Sequence, residues 1–151
     1  MQTESSGVSA WLLEVSEVCN LAVGQFELVH IVDQPEYISI PQAPEYCRHA
    51  IIWNGVMVPV MNVSSWLLSS PQTDDDSIVA ILIYKNSSGE LSYGGVKLNA
   101  TPVLEKVSND QECELPQSSD KLKAVSISCF VSSAGDAVPV LDIGCLFSKR
   151  H

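Results

Sequence analysis

A long, mainly apolar segment of the chain runs from Ile51 to Leu67 and is interrupted near its start by Asn54-Gly55. An Asn-Gly pair between two strand-like runs is the strongest short signal for a two-residue β-hairpin. Every residue from Val56 to Met61 is apolar or proline, which predicts a second strand that is buried on both faces. Because Pro59 has no backbone N–H, one edge of this strand should be unpaired or bulged there.

The same construction occurs again near the end of the chain. Val58 to Val63 reads Val-Pro-Val-Met-Asn-Val, and Val138 to Ile143, 80 positions later, reads Val-Pro-Val-Leu-Asp-Ile. Asn62 in the first copy and Asp142 in the second are suited to cap a short helix, which the first copy places at Val63 to Ser69. The match predicts two similarly built halves and not a solenoid, whose repeat would be shorter.

Further short strands alternate with polar turns. The predicted strands are Trp11 to Val15, Asn20 to Gly24, Tyr37 to Ile40, Ile78 to Lys85, Glu90 to Val96, Thr101 to Val107 and Lys123 to Ser132. In the last strand, a period of two collects the apolar residues on one face, at Val125, Ile127, Cys129 and Val131. Phe26 to Val32 fits both a strand and a helix, so its type stays open. Gly94-Gly95 predicts a bulge or a close backbone approach. Strands of this length and spacing favour an all-β sandwich or barrel.

Composition restricts the partners and the compartment. The chain has 151 residues, the size of one domain, with 18 acidic and 8 basic residues and a formal net charge of −10. Its longest Lys/Arg cluster is Lys149-Arg150, so the electrostatic footprint of a nucleic-acid-binding protein is missing. The polar start does not resemble a signal peptide, and the apolar run from Ile78 to Tyr84 is too short to span a membrane. Five cysteines without paired spacing argue against a disulfide framework. We therefore expect a cytoplasmic protein.

Residues that carry chemistry do not converge in the sequence. Cys47-Arg48-His49 is the one close Cys/His pair, and no second pair follows at zinc-like spacing. Asp74 to Asp76 lack the remaining ligands of a calcium loop, which favours a solvated acidic loop. Neither a Gly-x-Ser-x-Gly elbow nor a Gly-x-Gly-x-x-Gly fingerprint occurs. We expect no catalytic residue, no cofactor and no metal ion, and hence no enzyme.

Several segments follow one another in an order and spacing that point to one family. They are Leu21-Ala22-Val23 through Ile31-Val32, Ile38-Ser39-Ile40-Pro41-x-x-Pro44, Ile51-Ile52-x-x-Gly55-x-x-x-Pro59-Val60-x-x-Val63 and Val140-Leu141-Asp142-Ile143-x-x-Leu146-Phe147. Together they resemble the CheW-like domain, the coupling adaptor of bacterial chemotaxis arrays. The clear match covers Trp11 to Leu67 and Val125 to Phe147, and the middle of the chain matches weakly.

The resemblance implies a mainly β fold of two small five-stranded β-barrel subdomains with a few short helices. These would form a single domain over residues 10–148, after a disordered tail at residues 1–9. The resemblance also implies a non-enzymatic signal-transduction adaptor. Such adaptors couple the CheW-like regulatory domain of a chemotaxis histidine kinase (CheA-like) to the cytoplasmic tip of a chemoreceptor. They do so through protein–protein contacts, without nucleic acid and without direct membrane insertion.

The sequence departs from the family pattern at positions that bear on binding. The family usually has Arg where this chain has Asn54, and the Asp and Arg that follow the Pro-Val strand are Asn62 and Ser64 here. Asn matches neither the reach nor the charge of Arg. An exposed apolar patch is expected near the turn, and the predicted protein-binding residues are Asn54, Gly55, Val56, Val58 and Asn62. The departures suggest a divergent adaptor, with a pilus or twitching-motility chemosensory system as its expected setting.

Two other functions stay open at this point. A divergent β-barrel that has lost kinase and receptor coupling could act as a ligand-binding or sensor module, with a cavity lined by Trp53, Trp66 and Tyr93. An enzyme could be assembled from scattered residues, with His30 or His49 beside an Asp and a Ser in a cleft.

Overall fold

The computed structural model describes residues 8–16, 19–68, 78–114 and 120–148. The strands in this part of the chain are β1 (Val8–Ser16), β2 (Cys19–Gly24), β3 (Leu28–Val32), β4 (Ile38–Ser39), β5 (His49–Trp53), β6 (Val56–Met61), β7 (Ile78–Lys85), β8 (Leu91–Leu98), β9 (Val103–Val107), β10 (Ser126–Val131) and β11 (Ala137–Leu141). The helices are α1 (Val63–Leu68), α2 (Asp120–Ala124) and α3 (Ile143–Ser148), with 3-10 turns at Glu45–Cys47 and Asn109–Gln111. Residues 1–7 of the expected tail and the acidic loop Asp74 to Asp76 lie outside the described residues, whereas β1 already includes residues 8 and 9.

The described strands form two mixed sheets. The first has the strand order β10-β11-β2-β1-β9, and the second has the order β3-β7-β8-β6-β5-β4. Neighbouring strands are antiparallel except for β11 with β2 and β6 with β8, which are parallel. The predicted mainly β fold of two subdomains is confirmed. The second sheet has six strands within the described residues, where five were expected.

Each sheet curls over an apolar interior of its own. In the second sheet, His30 of β3 stacks on Trp53 of β5 with ring centroids 5.8 Å apart, although these strands are distant in the sheet order. In the first sheet, Glu105 of one edge strand accepts a 2.8 Å hydrogen bond from the amide of Ser133, which closely follows the other edge strand. A larger apolar cluster lies between the two sheets and includes Leu13, Leu21, Met61, Trp66, Leu82, Leu98, Leu141 and Leu146.

The two halves that the Val-Pro-Val repeat predicts are built alike. The side-chain oxygens of Asn62 and Asp142 each accept a hydrogen bond from the backbone amide three residues further on, at 3.0 and 3.1 Å. Each residue therefore caps its helix, α1 or α3, as expected. The backbone amides of the two capping residues donate 2.7 Å hydrogen bonds to the carbonyl oxygens of Tyr46 and Val125.

Parallel pairing also falls at matching places in the two halves. Val60 of β6 pairs with Gly95 of β8, and Val140 of β11 pairs with Ala22 of β2. Because the pairing of β6 with β8 begins only at Val60, the strand edge that faces β8 is unpaired at Pro59, as predicted.

The segment before β11 differs from its prediction. A helix, α2, occupies the beginning of the predicted strand Lys123 to Ser132, and β10 begins only after it. The register of β10 against β11 shifts between Ser126 and Ser128, so the alternation is broken at Ile127. Ile127 is consequently 66% exposed, and the predicted single apolar face through Ile127 and Val131 is wrong. The open segment Phe26 to Val32 divides into a turn and strand β3.

Two glycines allow elements to pack closely, as Gly94-Gly95 predicts. A Cβ on Gly95 would lie 2.9 Å from Val79 Cγ1 and 3.2 Å from Val60 Cγ2. A Cβ on Gly94 would overlap the ring of Phe147, which follows the second capping motif in α3. These glycines therefore leave room for the side chains of Val60 and Val79 on the neighbouring strands and for the ring of Phe147 in α3.

Candidate protein-binding site

The β5–β6 hairpin is built on the Asn54-Gly55 turn. Both residues have positive φ angles, 51° for Asn54 and 76° for Gly55, which is the backbone of a type I′ turn. Asn and Gly tolerate this conformation best, so the local sequence determines the turn. The turn sets the cross-strand pairs, which place Trp53 opposite Val56.

The two faces of this hairpin have opposite character. On the inner face, Ile51 and Val58 are opposite one another and are 2% and 0% exposed. On the outer face, the next pair is Ile52 and Met57, which are 56% and 60% exposed. A period of two explains the difference, because only one face of the hairpin can contact the interior of the second sheet.

Strand β4 widens the outer face. Ile38 pairs with Ala50, and paired residues lie on the same face of a sheet, as do residues two apart in one strand. Ile38 therefore shares the outer face with Ile52 and Met57, and its side chain is 42% exposed. We call these three residues, Ile38, Ile52 and Met57, the outer patch. The hairpin from His49 to Met61 contains no Asp, Glu, Lys or Arg, so the middle of this surface is uncharged and apolar.

Three of the five predicted binding residues lie together at the tip of the hairpin. Asn54, Gly55 and Val56 are all exposed, Val56 by 44%. Val58 is fully buried among side chains of the second sheet, so the expectation that it belongs to an exposed patch is wrong. The prediction that β6 is buried on both faces is also wrong for its first half.

Asn62 lies apart from the other predicted residues. It follows the far end of β6, and at about 3.3 Å per residue it lies on the order of 20 Å from the turn. Its side-chain oxygen caps α1, so the structure gives Asn62 a role in folding. The sequence analysis missed Ile38, Ile52 and Met57. Once Asn54-Gly55 is taken as a type I′ turn, the pairing of Ile52 with Met57 follows, and this signal could have identified the outer face.

Aromatic side chains support the inner side of the hairpin. Trp53 contacts Tyr93 edge-on with ring centroids 5.1 Å apart and stacks with His30. His49 packs against Tyr37 at 5.1 Å. The two histidines considered for catalysis thus lie in aromatic contacts that orient the hairpin. Among the described residues, no group of three or more His, Cys, Asp or Glu could hold a metal ion.

The cavity expected from Trp53, Trp66 and Tyr93 does not form. Trp66 packs in the cluster between the sheets, whereas Trp53 and Tyr93 pack against the interior of the second sheet, so these three residues do not line one cavity. A cavity of about 320 Å³ lies instead in the first sheet. It is lined mainly by strand residues and by the segment after β9, including Ala10, Val107, Glu112, Ser128, Cys129 and Phe130.

Comparison with known proteins identifies the family. The sequence model of the CheW-like domain matches residues 10–151, so the chain belongs to the CheW-like domain family. This is a family of chemotaxis signal-transduction scaffolds and adaptors. The structure is similar to the crystal structure of the scaffolding protein TtCheW from Thermoanaerobacter tengcongensis, with a TM-score of 0.75 and 14% sequence identity over 95% of this chain and 94% of that chain. This similarity shows a shared fold.

Two further searches, one of known proteins and one for membrane-spanning helices, give negative results. A search of curated proteins found no significant match. Within the described residues, no helix is long and apolar enough to cross a membrane.

Proposed function

We propose that this protein is a non-enzymatic chemosensory adaptor that couples a histidine kinase to a chemoreceptor. Its partners would be the CheW-like regulatory domain of a CheA-like kinase and the cytoplasmic tip of the receptor. The observation that carries the proposal is the outer patch, an uncharged apolar surface on a hairpin of a protein that belongs to an adaptor family. Exposed apolar surface of this kind is typical of protein-binding sites.

The exposed area suits a reversible contact. Each side chain of the outer patch is about half exposed, at 42%, 56% and 60% for Ile38, Ile52 and Met57. Burying the exposed half of such a side chain contributes roughly 1 kcal/mol. The patch can therefore supply the centre of an interface of moderate affinity, with further contacts from the surrounding residues such as Val56.

Asn54 changes the character of the contact at the turn. Its φ of 51° is one that Asn adopts more easily than most residues, but its side chain carries no charge. The contact would then rest on shape and apolar area and not on an ion pair. Asn54 therefore adds no salt-sensitive ion pair at the turn, and any salt dependence of the dissociation constant should come from the net charge of −10.

A coupling protein also needs a second surface. Ile127 projects from the bulge on β10, an edge strand of the first sheet, and is 66% exposed. The outer patch belongs to the second sheet, so each subdomain presents apolar surface of its own. This arrangement supports an adaptor that contacts two partners at once.

A pull-down with matched variants tests the proposal. Bait proteins would be the wild type, Met57→Asp, Met57→Leu and Phe26→Asp, with captured proteins from the native cytoplasm identified by mass spectrometry. Met57→Asp places a charge in the outer patch, Met57→Leu keeps the patch apolar, and Phe26→Asp makes the same charge change at an 85% exposed turn residue. Circular dichroism would show that each variant is folded.

We expect the wild type, Met57→Leu and Phe26→Asp to recover a chemosensory kinase or receptor, and Met57→Asp to lose it. Equal recovery with Met57→Asp would show that the outer patch is not the contact surface. If the wild type recovers neither protein, the coupling role itself is refuted. The recovered receptor would also test the twitching-motility setting, because receptors of pilus and flagellar systems are distinguishable by sequence.

A further inference from the structure

Two cysteine side chains meet at one edge of the first sheet. The Sγ atoms of Cys113 and Cys129 are 3.0 Å apart, and both residues are free thiols in the structure. Cys129 lies in β10 and is 2% exposed, whereas Cys113 belongs to the segment after β9 and is half-buried. The remaining cysteines have other surroundings, and the thiol of Cys145, for example, donates to the carbonyl oxygen of Ala124 at 3.3 Å.

The backbone places these two residues opposite one another. Glu112 forms an antiparallel bridge with Phe130, and the amide of Cys113 donates a 3.0 Å hydrogen bond to the carbonyl oxygen of Cys129. Cys113 and Cys129 are thus the next pair along a short antiparallel ladder. Residues in such a hydrogen-bonded pair have Cα atoms about 5.5 Å apart. This separation falls inside the range of about 4.4–6.8 Å that a disulfide bond spans without moving the backbone.

We propose that Cys113 and Cys129 form a reversible intramolecular disulfide when the protein meets a low-molecular-weight disulfide such as oxidised glutathione. The thiolate of Cys113 attacks one glutathione sulfur, which forms a mixed disulfide and releases one glutathione thiolate. Cys129 then loses its proton, attacks the sulfur of Cys113 as a thiolate and displaces the second glutathione as a thiolate, which takes up a proton. The two protein thiols are oxidised and lose two protons, and one glutathione disulfide is reduced to two glutathione thiols. This inference does not depend on the proposed adaptor function.

Burial accounts for the order of the two steps. Cys113 is the more exposed thiol, so an external disulfide reaches it first. Burial, together with the neighbouring Cys113 thiol, raises the pKa of Cys129 to about 12. Its thiol is therefore almost entirely protonated and reacts slowly with external reagents. The glutathione-bound sulfur of Cys113 lies beside it, so the small fraction present as thiolate is enough for the second step.

The bond would add a covalent link at the edge of the first sheet. The segment after β9 and strand β10 are joined there by the Glu112–Phe130 bridge and by a 2.8 Å hydrogen bond from Gln111 Nε2 to the carbonyl oxygen of Val131. A covalent bond beside these contacts would keep the two edge segments together. It would also fix the wall of the 320 Å³ cavity, which Cys129 lines. A loop of roughly 15 residues would be closed, which should raise Tm by about 5–10 °C.

The test uses the purified full-length protein in buffers with a graded ratio of reduced to oxidised glutathione. Free thiols are alkylated, the protein is digested, and the disulfide-linked peptides are identified by mass spectrometry, with Tm measured in parallel. We expect a peptide pair joined through Cys113 and Cys129, a monomer on a non-reducing gel and a higher Tm. Dithiothreitol should reverse all three changes. Cys113→Ser should abolish the linked pair and the rise in Tm, and Cys145→Ser should preserve both.

Three outcomes would overturn the inference. The cysteines could remain free thiols in the most oxidising buffer, the mapped bond could join other cysteines, or Cys113 could stop at the mixed disulfide with glutathione. Because Cys113 is half-buried and Ser is similar in size, the Cys113→Ser variant should fold. The mapping in the wild-type protein does not depend on any variant.

Discussion

Two neighbouring residues of β6 should respond very differently to truncation. Val58 is 0% exposed and packs in the interior of the second sheet, whereas Met57 is 60% exposed on the outer patch. The informative perturbations are therefore Val58→Ala and Met57→Ala. The side chains around Val58 that would be left beside a void are Ile51, Val60, Val79 and Ile81.

The magnitudes follow from burial. Val58→Ala removes two buried methyl groups, which is about 1.6 kcal/mol of transfer free energy. The void that remains adds roughly 1 kcal/mol, so the total loss of unfolding free energy should be about 2–3 kcal/mol. Met57→Ala removes three groups that are less than half buried, which should cost under about 1 kcal/mol. Val58→Asp would be unsuitable for a binding assay, because it would bury a carboxylate without a partner.

Urea denaturation followed by circular dichroism measures both losses, with a common m-value as the check on two-state unfolding. In a chain of this size, thermal unfolding should show Tm falling by roughly 5–10 °C for Val58→Ala and by less than about 3 °C for Met57→Ala. Equal losses for the two variants would refute the assignment of inner and outer faces. The outer patch and the binding experiment that rests on it would then have to be abandoned.

Three further predictions concern the stability of the fold. Asn62→Ala and Asp142→Ala each remove a helix cap and should each lower the unfolding free energy by about 1 kcal/mol in urea titrations. Asn62→Asp keeps a capping oxygen and should be nearly neutral. An alanine variant as stable as the wild type would contradict the capping role. Gly94→Ala should lower Tm, because its Cβ would overlap the ring of Phe147. Adding Phe147→Leu to Gly94→Ala should partly restore Tm, and a double variant with no recovery would contradict the contact. Burial raises the thiol pKa values of Cys19, Cys47 and Cys129 in the folded protein, so the unfolded chain loses these protons at lower pH. The free energy of unfolding should therefore fall as pH rises above about 9, and the stabilisation is lost once pH passes the pKa values of the folded protein. Denaturant midpoints that stay constant to pH 11 would exclude this effect.

Much of the fold follows from local features of the sequence. The Asn54-Gly55 pair determines a type I′ turn because few other residues adopt two successive positive φ angles. The repeated Val-Pro-Val segments with Asn62 and Asp142 determine two strand–cap–helix units, because a short polar side chain before an apolar run satisfies the free amides of the first helical turn. The motifs in their order were also enough to recognise the family.

The tertiary structure decided which apolar residues face the solvent and which face the core. Ile52 and Met57 are as hydrophobic as Ile51 and Val58, so composition could not separate them, and only the interior of the second sheet defines the inner face. Ile127 is exposed because a bulge shifts the register of β10, and the local sequence does not predict this bulge.

Contacts between residues that are distant in the chain could not be predicted from the sequence either. Cys113 and Cys129 meet because the chain after β9 returns beside β10, and their spacing of 16 positions matches no recognised motif. Trp66 was separated from Trp53 because α1 packs between the two sheets while the hairpin belongs to one of them. Turns and caps depend on a few adjacent residues, and the sequence determines them. Faces, bulges and contacts between distant segments depend on how the whole chain excludes water, and they are decided only when the two sheets pack together.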